Sequence, residues 1–305
     1  MQDIIEVEHF SKHYGSFKAV DDISFRVREG EIFAFLGPNG AGKSTTINTL
    51  CTILDKTAGT MRINGHDVSA QKDKVRRDIG IVFQESTLDV KLTVEENLRL
   101  HCSFYRVPKN EAEERIRFAL ALVELTDWRK AVVGGLSGGM KRRAEIARGL
   151  VHFPKVLFLD EPTTGLDPQT RAGVWAYIRK LQKEKNITIF LTTHYMDEAE
   201  ICSHVAIIDH GKLIAFDTPE NLEKQYTNTV LTIRSREPEK MEHYLNEGTM
   251  RYQADGGRFL INAGETSKAL ELLSLFKDSI TDFEVKKGSL NDVFLSVTGK
   301  EIRVS

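Results

Sequence analysis

The sequence predicts an α/β protein: a mainly parallel sheet interrupted by a helical insertion, followed by a small α+β domain. Three observations carry that reading. Apolar runs of strand length alternate with helix-period segments up to about residue 217, and a glycine-rich turn sits directly between a strand and a helix. The tail then alternates strands and helices without any comparable turn.

Taken in order, residues 4–35 read as short β segments, with Ile23, Phe25 and Val27 alternating with polar neighbours, and 31–36 forms an apolar strand that ends at Gly37. A helix is expected over 45–54 and another strand over 79–83. Residues 93–151 read as several helices, broken at Pro108 and at Gly134-Gly135. Strand patterns return at 156–159, 187–192 and 205–208, with a helix over 170–185 between the first two. The character changes at Asp217-Thr218-Pro219, which divides the chain into a core of residues 1–217 and an accessory domain of 218–305. The tail reads as a short helix, then strand 230–234, helix 237–246, strand 250–254, a turn at Gly256-Gly257, strand 258–261, helix 265–277, strand 280–285 and a last helix from Leu290. Its βαββαβ core has the order of a ferredoxin-like module.

Composition narrows the classes. At 305 residues and 41% hydrophobic content the chain can bury a sizeable core. The 42 basic and 44 acidic residues leave a formal charge of -2, so the footprint that duplex nucleic acid demands is missing and no nucleic-acid partner is expected. Cys51, Cys102 and Cys202 are odd in number and form no CxxC pair, which argues for a reducing compartment. The first residues lack the basic and apolar regions of a secretory signal, and no run of about 18 to 20 apolar residues could form a membrane helix. Any membrane role is therefore expected to run through a partner.

Gly37-Pro38-Asn39-Gly40-Ala41-Gly42-Lys43-Ser44 satisfies the phosphate-binding pattern GxxxxGK[ST], directly after a strand and before the helix that Thr45 opens. The glycines let backbone N–H groups turn inward around phosphate oxygens, and the helix N-terminus adds partial positive charge. Lys43 is expected to bridge the β- and γ-phosphates and the Ser44 hydroxyl to ligate Mg²⁺. Residues 156–161 form an apolar strand that delivers Asp160 and Glu161 at its C-terminal end, where open α/β sheets place ligands. There Asp160 would hold Mg²⁺ and Glu161 would polarise the attacking water.

With Leu136-Ser137-Gly138-Gly139-Met140 the chain resembles an ABC ATPase, because this signature stands between the P-loop and the Asp160 strand in the family's order. The resemblance implies a P-loop ABC ATPase core with antiparallel β and helical subdomains, using ATP and Mg²⁺. It implies that Tyr14 stacks on adenine, that Gln84 touches Mg²⁺ and senses the γ-phosphate, and that His194 contacts the γ-phosphate. It further implies that Gly37, Asn39, Gly40, Ala41, Gly42, Lys43, Ser44 and Thr45 cradle ATP, with Lys43, Glu161 and His194 as the catalytic set. Gly165-Leu166-Asp167 would communicate across a head-to-tail dimer in which Ser137, Gly138 and Gly139 reach the partner's nucleotide. Met140 stands where the commonest signature has Gln, and Gly165 where Ala is more usual.

Met140 followed by Lys141-Arg142-Arg143, the run from Leu191 through His194 to Glu200, and the ending Leu290-Asn291-Asp292-Val293-Phe294-Leu295 resemble the daunorubicin-resistance type of ATP-binding subunit. Such subunits pair with a separate ABC-2 permease, which implies an exporter ATPase held at the cytoplasmic face of the membrane. In that family the stretch 85–92, with Leu88, Val90 and Leu92, helps form the groove for the permease's coupling helix; packing against the helical insertion is the alternative reading.

Taken singly, Tyr14 reads as a hairpin aromatic, Gln84 as a polar strand end, His194 as a structural histidine and Lys141-Arg142-Arg143 as a solvated face. For Tyr14 and His194 the P-loop context reverses the reading, while for Gln84 both readings stay open. The competing function is a soluble ABC ATPase acting on nucleic acid or ribosomes; neither a second P-loop nor sustained heptads support it. A non-catalytic scaffold conflicts with intact Lys43, Asp160, Glu161 and His194.

Overall fold

A computed structural model describes residues 2–248 and 250–299. The chain forms two compact units, one running through Phe216 and the next beginning at Asp217. In the first, β1 (Asp3–Tyr14) and β2 (Phe17–Arg28) make an antiparallel hairpin that continues into a sheet of order β2-β1-β4-β5, with β4 at Ala58–Ile63 and β5 at His66–Asp67. The alternation of Ile23, Phe25 and Val27 turns those side chains into the core.

The second sheet has the order β10-β9-β3-β8-β7-β6. Its members are β3 (Ile32–Leu36), β6 (Ile79–Val82), β7 (Val156–Asp160), β8 (Thr188–Thr193), β9 (His204–Asp209) and β10 (Lys212–Asp217). Strands β3, β6, β7, β8 and β9 run parallel. All residues of β3, β7 and β8 are buried, which is why they read as continuous apolar runs rather than alternating ones. A phenylalanine cluster fills the core: Phe25 stacks on Phe33 at 5.5 Å, Phe33 on Phe190 at 5.0 Å, and Phe158 meets Phe190 at 5.3 Å.

Helix α1 spans Lys43–Leu50 rather than 45–54. It opens directly on Gly42, and it stops because the chain turns at Cys51 and Thr52 enters the left-handed region with φ 63°. Helix α2 (Lys72–Asp78) and strands β4 and β10 lie in stretches whose short patterns gave no element in the sequence reading. The helical insertion contains α3 (Val94–Phe104), closed by a Thr93/Glu96 capping box, α4 (Lys109–Leu122) after Pro108, and α5 (Gly138–Leu150). Gly134-Gly135 falls in a short 3-10 turn. Helix α6 (Pro168–Lys185) begins two residues before the expected 170, since Asp167 caps it and Pro168 occupies its first turn. A single turn, α7 (Met196–Ala199), follows β8.

The second unit contains α8 (Pro219–Tyr226), β11 (Thr229–Ser235), α9 (Pro238–Glu247), β12 (Tyr252–Asp255), β13 (Arg258–Gly264), α10 (Thr266–Leu275), β14 (Ile280–Lys286) and α11 (Leu290–Thr298). Its antiparallel sheet has the order β12-β13-β11-β14. The βαββαβ order is thus present, with a core of Leu231, Ile233, Phe259 and Ile261 from the sheet and Met241, Leu245, Ala269 and Leu272 from the helices. Helices α8 and α11 pack on one another beside it.

Candidate functional site

The parallel strands end together at one edge of the second sheet, and the loops after β3, β6, β7 and β8 meet there. The loop after β3 folds tightly into α1. Gly42 has φ 108°, and a Cβ on it would lie 2.7 Å from the Ala19 carbonyl oxygen of β2, so backbone geometry and close approach both demand glycine. Asn39, Gly40 and Ser44 are exposed along this loop, Gly37, Ala41 and Lys43 are buried, and Thr45 is half-buried.

Lys43 Nζ donates to the carbonyl oxygens of Gly37 at 2.7 Å and Pro38 at 3.1 Å, and stands 3.5 Å from Glu161 Oε1. Burial pushes its pKa below the ordinary lysine value, opposed by the carboxylates of Glu161 and Asp160. Glu161 follows the end of β7 in the left-handed region, φ 45°, a conformation that costs a non-glycine residue about 1 kcal/mol or more and aims this carboxylate into the cluster. Its Oε2 accepts hydrogen bonds from Gln84 Nε2 at 3.3 Å and Thr164 Oγ1 at 3.2 Å. Its Oε1 lies 3.4 Å from His194 Nδ1, within ion-pair range but without hydrogen-bond alignment.

Asp160 is buried beside it, and its Oδ1 accepts from Thr192 Oγ1 at 2.5 Å. The same hydroxyl accepts from the Glu161 N–H at 3.0 Å, so one threonine of β8 fixes the Asp160 carboxylate and the Glu161 backbone. One cluster at the sheet edge thus gathers buried Lys43, Asp160 and Glu161 with half-buried His194 and exposed Gln84, supplied by four separate loops.

Ser137, Gly138 and Gly139 belong to a second assembly. The Ser137 hydroxyl caps α5 by accepting from the Met140 N–H at 3.3 Å. A Cβ on Gly139 would lie 2.3 Å from Thr170 Cγ2, so glycine lets the starts of α5 and α6 touch. Asp167 caps α6 through the Thr170 N–H at 3.0 Å, and the Thr170 hydroxyl together with that N–H holds its carboxyl below the usual range. Tyr14 closes the β1–β2 hairpin, 47% exposed, with Lys12 Nζ 5.0 Å from its ring centroid. In the stretch 85–92, Leu88 is buried and Val90 is half exposed.

Two buried groups escaped the sequence reading. Arg142 is 7% exposed, which corrects the expectation of a solvated face at Lys141-Arg142-Arg143. Its guanidinium donates to the carbonyl oxygens of Pro162 at 2.6 Å, Phe83 at 2.5 Å, Asp160 at 3.2 Å and Glu161 at 3.3 Å, and pairs with Glu145 at 2.9 Å. Glu198 of α7 is buried and accepts hydrogen bonds from the hydroxyls of Thr163 and Thr193, tying the loop after β7 to the loop carrying His194. A basic triplet gives no hint of which of its members turns inward.

A parallel sheet with this P-loop, the Asp160–Glu161 edge and the inserted signature helix defines a P-loop ATPase cassette. The chain belongs to the family of ABC transporter ATP-binding proteins. The profile described as ABC transporter matches residues 20–164. The daunorubicin/doxorubicin resistance ATP-binding protein DrrA of Streptomyces peucetius is 37% identical over 305 residues, covering 97% of this chain and 92% of its own length. The Nod factor export ATP-binding protein I of Ralstonia nicotianae is 36% identical, over 98% of this chain and 95% of its own. The probable multidrug ABC transporter ATP-binding protein YbhF of Escherichia coli is 40% identical over 74% of this chain, which spans 39% of the length of that relative. Among solved structures, cbiO1 from Clostridium perfringens, part of an ABC transporter complex, superposes with TM-score 0.68 at 31% identity, over 73% of this chain and 91% of its own. The dimeric post-hydrolysis cassette MJ0796 bound to ADP and Pi gives TM-score 0.63 at 27% identity, over 70% and 98%. ATP binding and hydrolysis are the chemistry of this cassette.

Proposed function

We propose that this chain energises an ABC exporter, working as a head-to-tail dimer on a separate ABC-2 permease at the cytoplasmic face of the membrane. The observation that carries the reading is the convergence of Lys43, Gln84 and His194 on the Glu161 carboxylate at the sheet edge. Full-length similarity to DrrA and to the Nod factor export protein supports export as the work performed.

In this reading the loop from Gly37 to Thr45 cradles the ATP phosphates with its N–H groups, and Lys43 swings from its carbonyl partners to the β- and γ-phosphates. Glu161 accepts the proton of the attacking water, and Gln84 and His194 place that water and the γ-phosphate. The Ser44 hydroxyl, the Asp160 carboxylate and the Gln84 amide oxygen form a hard all-oxygen donor set that fits Mg²⁺, which would neutralise phosphate charge there. Tyr14 supports the adenine. Ser137, Gly138 and Gly139, at the N-terminus of α5, complete the partner's site, so ATP favours the closed dimer and hydrolysis opens it.

Glu161→Gln is the deciding variant. It is expected to bind ATP normally while turnover falls about 10²- to 10⁴-fold. Light scattering of that variant should show an ATP-dependent dimer, and detergent extracts should yield one polytopic membrane protein alongside it. Co-purification of ribosomes or DNA-repair proteins with no membrane protein would overturn the exporter reading.

A further inference from the structure

The far ends of α5 and α6 border a half-open cavity, about 440 Å³ in volume and mostly apolar. Its walls are Phe118 of α4, Leu150 at the end of α5, Phe153 and Pro154 of the link to β7, Leu181 of α6, and Ile187 before β8. That volume falls in the range of pockets that hold small molecules. Because α5 starts beside Ser137 and runs through Leu150, the cavity lies about 20 Å along that helix from the signature residues.

Two features bear on what this cavity would hold. Phe153 adopts φ 58°, a left-handed conformation that bulky residues rarely hold, in a turn that glycine or asparagine would make without strain. Its ring is nevertheless 52% exposed and meets Phe118 edge-on at 5.6 Å, so the strained position presents an aromatic wall to the cavity rather than filling the core. The second feature is Lys185, whose ammonium stands 4.6 Å from the Phe118 ring centroid at the cavity mouth. Among the described residues the Lys185 ammonium meets the Phe118 ring and no carboxylate. By contrast Arg115, 4.6 Å over Phe153, carries Glu111 as its counter-ion at 2.5 Å. A lysine in the last turn of a helix is favourable to the dipole on its own. That accounts for the charge but not for the aromatic wall beside it.

We infer that this cavity is a binding site for a flat apolar monoanion, of the class of aromatic carboxylates. The hydrocarbon body lies against Phe118, Phe153 and Leu181, and the carboxylate pairs with the Lys185 ammonium. Arg115, already matched by Glu111, adds no net attraction. The site is separate from the phosphate loop, so occupancy is independent of ATP.

The test is calorimetric titration of the full chain with naphthoate, beside neutral naphthylmethanol as the uncharged body of the same shape. Phe153→Asn suits the left-handed turn and should keep the fold, as its thermal unfolding would verify. It should weaken both compounds about ten-fold through the lost apolar contact. Lys185→Ala should weaken naphthoate about five-fold and leave naphthylmethanol unchanged. Absence of saturable binding, displacement of naphthoate by ATP, or equal naphthoate affinity in wild type and both variants would overturn the assignment.

Discussion

Arg142 holds the backbone on either side of the acidic pair. Its donors go to the carbonyls of residues 83, 160, 161 and 162, so one side chain of α5 fixes the ends of both β6 and β7 and sets where Gln84 and Glu161 project. Arg142→Ala would strand the buried Glu145 carboxylate and several carbonyls, and chemical denaturation should show a loss of about 3 kcal/mol or more. Arg142→Lys should rescue little, since three donors on a point charge cannot reach this many acceptors. A loss under about 1 kcal/mol in the alanine variant would contradict the structural role given to this arginine. Gly139 makes a comparable prediction through space. Gly139→Ala should lower both the melting temperature and ATP turnover by driving Cβ into the Thr170 methyl, and Thr170→Ser, which removes only that methyl, should restore both in the double variant.

At the scale of elements, the end of α3 is locked to the link after α5 by three rings. Tyr105 stacks on His152 at 3.7 Å and 15°, His101 lies 4.8 Å from Tyr105, and a ring nitrogen of His152 bonds the Ile79 carbonyl at 2.8 Å. Burial, aided by nearby Arg148, lowers the pKa of His101 from 6.5 to about 3. Burial, aided by Arg115, lowers that of His152 from 6.5 to about 4. Both are therefore neutral in the fold while the unfolded chain binds protons below about 6.5, so folding stability is full above that pH and falls as pH drops towards 4. Urea midpoints measured across this window should decline in the native protein, and the double change His101→Gln with His152→Gln should flatten that decline. A wild-type midpoint independent of pH between 6.5 and 4 would contradict the buried neutral pair.

At the scale of the whole molecule, the two compact units have separate apolar cores, one around Phe33, Phe158 and Phe190 and one around Ile233, Phe259 and Leu272. A chain ending at Asp217 keeps the whole first core and every residue of the proposed phosphate site. It should fold cooperatively and bind ATP with near-native affinity, measured by calorimetry and thermal unfolding. Insolubility of that fragment would mean the second unit is needed to complete the cassette. Among the described residues no helix is long and apolar enough to cross a membrane.

Contiguous signals were legible in the sequence alone. The turn from Gly37 to Ser44 and the strand ending in Asp160-Glu161 could be read because the chemistry needs neighbouring residues in a fixed order. The six elements of the βαββαβ tail were legible for a similar reason, since each carries its own period and turn residues. Short elements such as α2 and β5 were not, because a turn or two of helix or a strand of two residues leaves too little pattern. What only the tertiary structure decided is partnership across the chain: Thr192 holding the Asp160 carboxylate and the Glu161 backbone, Arg142 turning inward from a basic triplet, and Lys185 and Phe153 meeting at one cavity. Periodicity shows that a face is buried, but the identity of what covers it depends on where distant elements dock. That docking brings the ammonium of one loop, the amide of another and the histidine of a third to a single carboxylate.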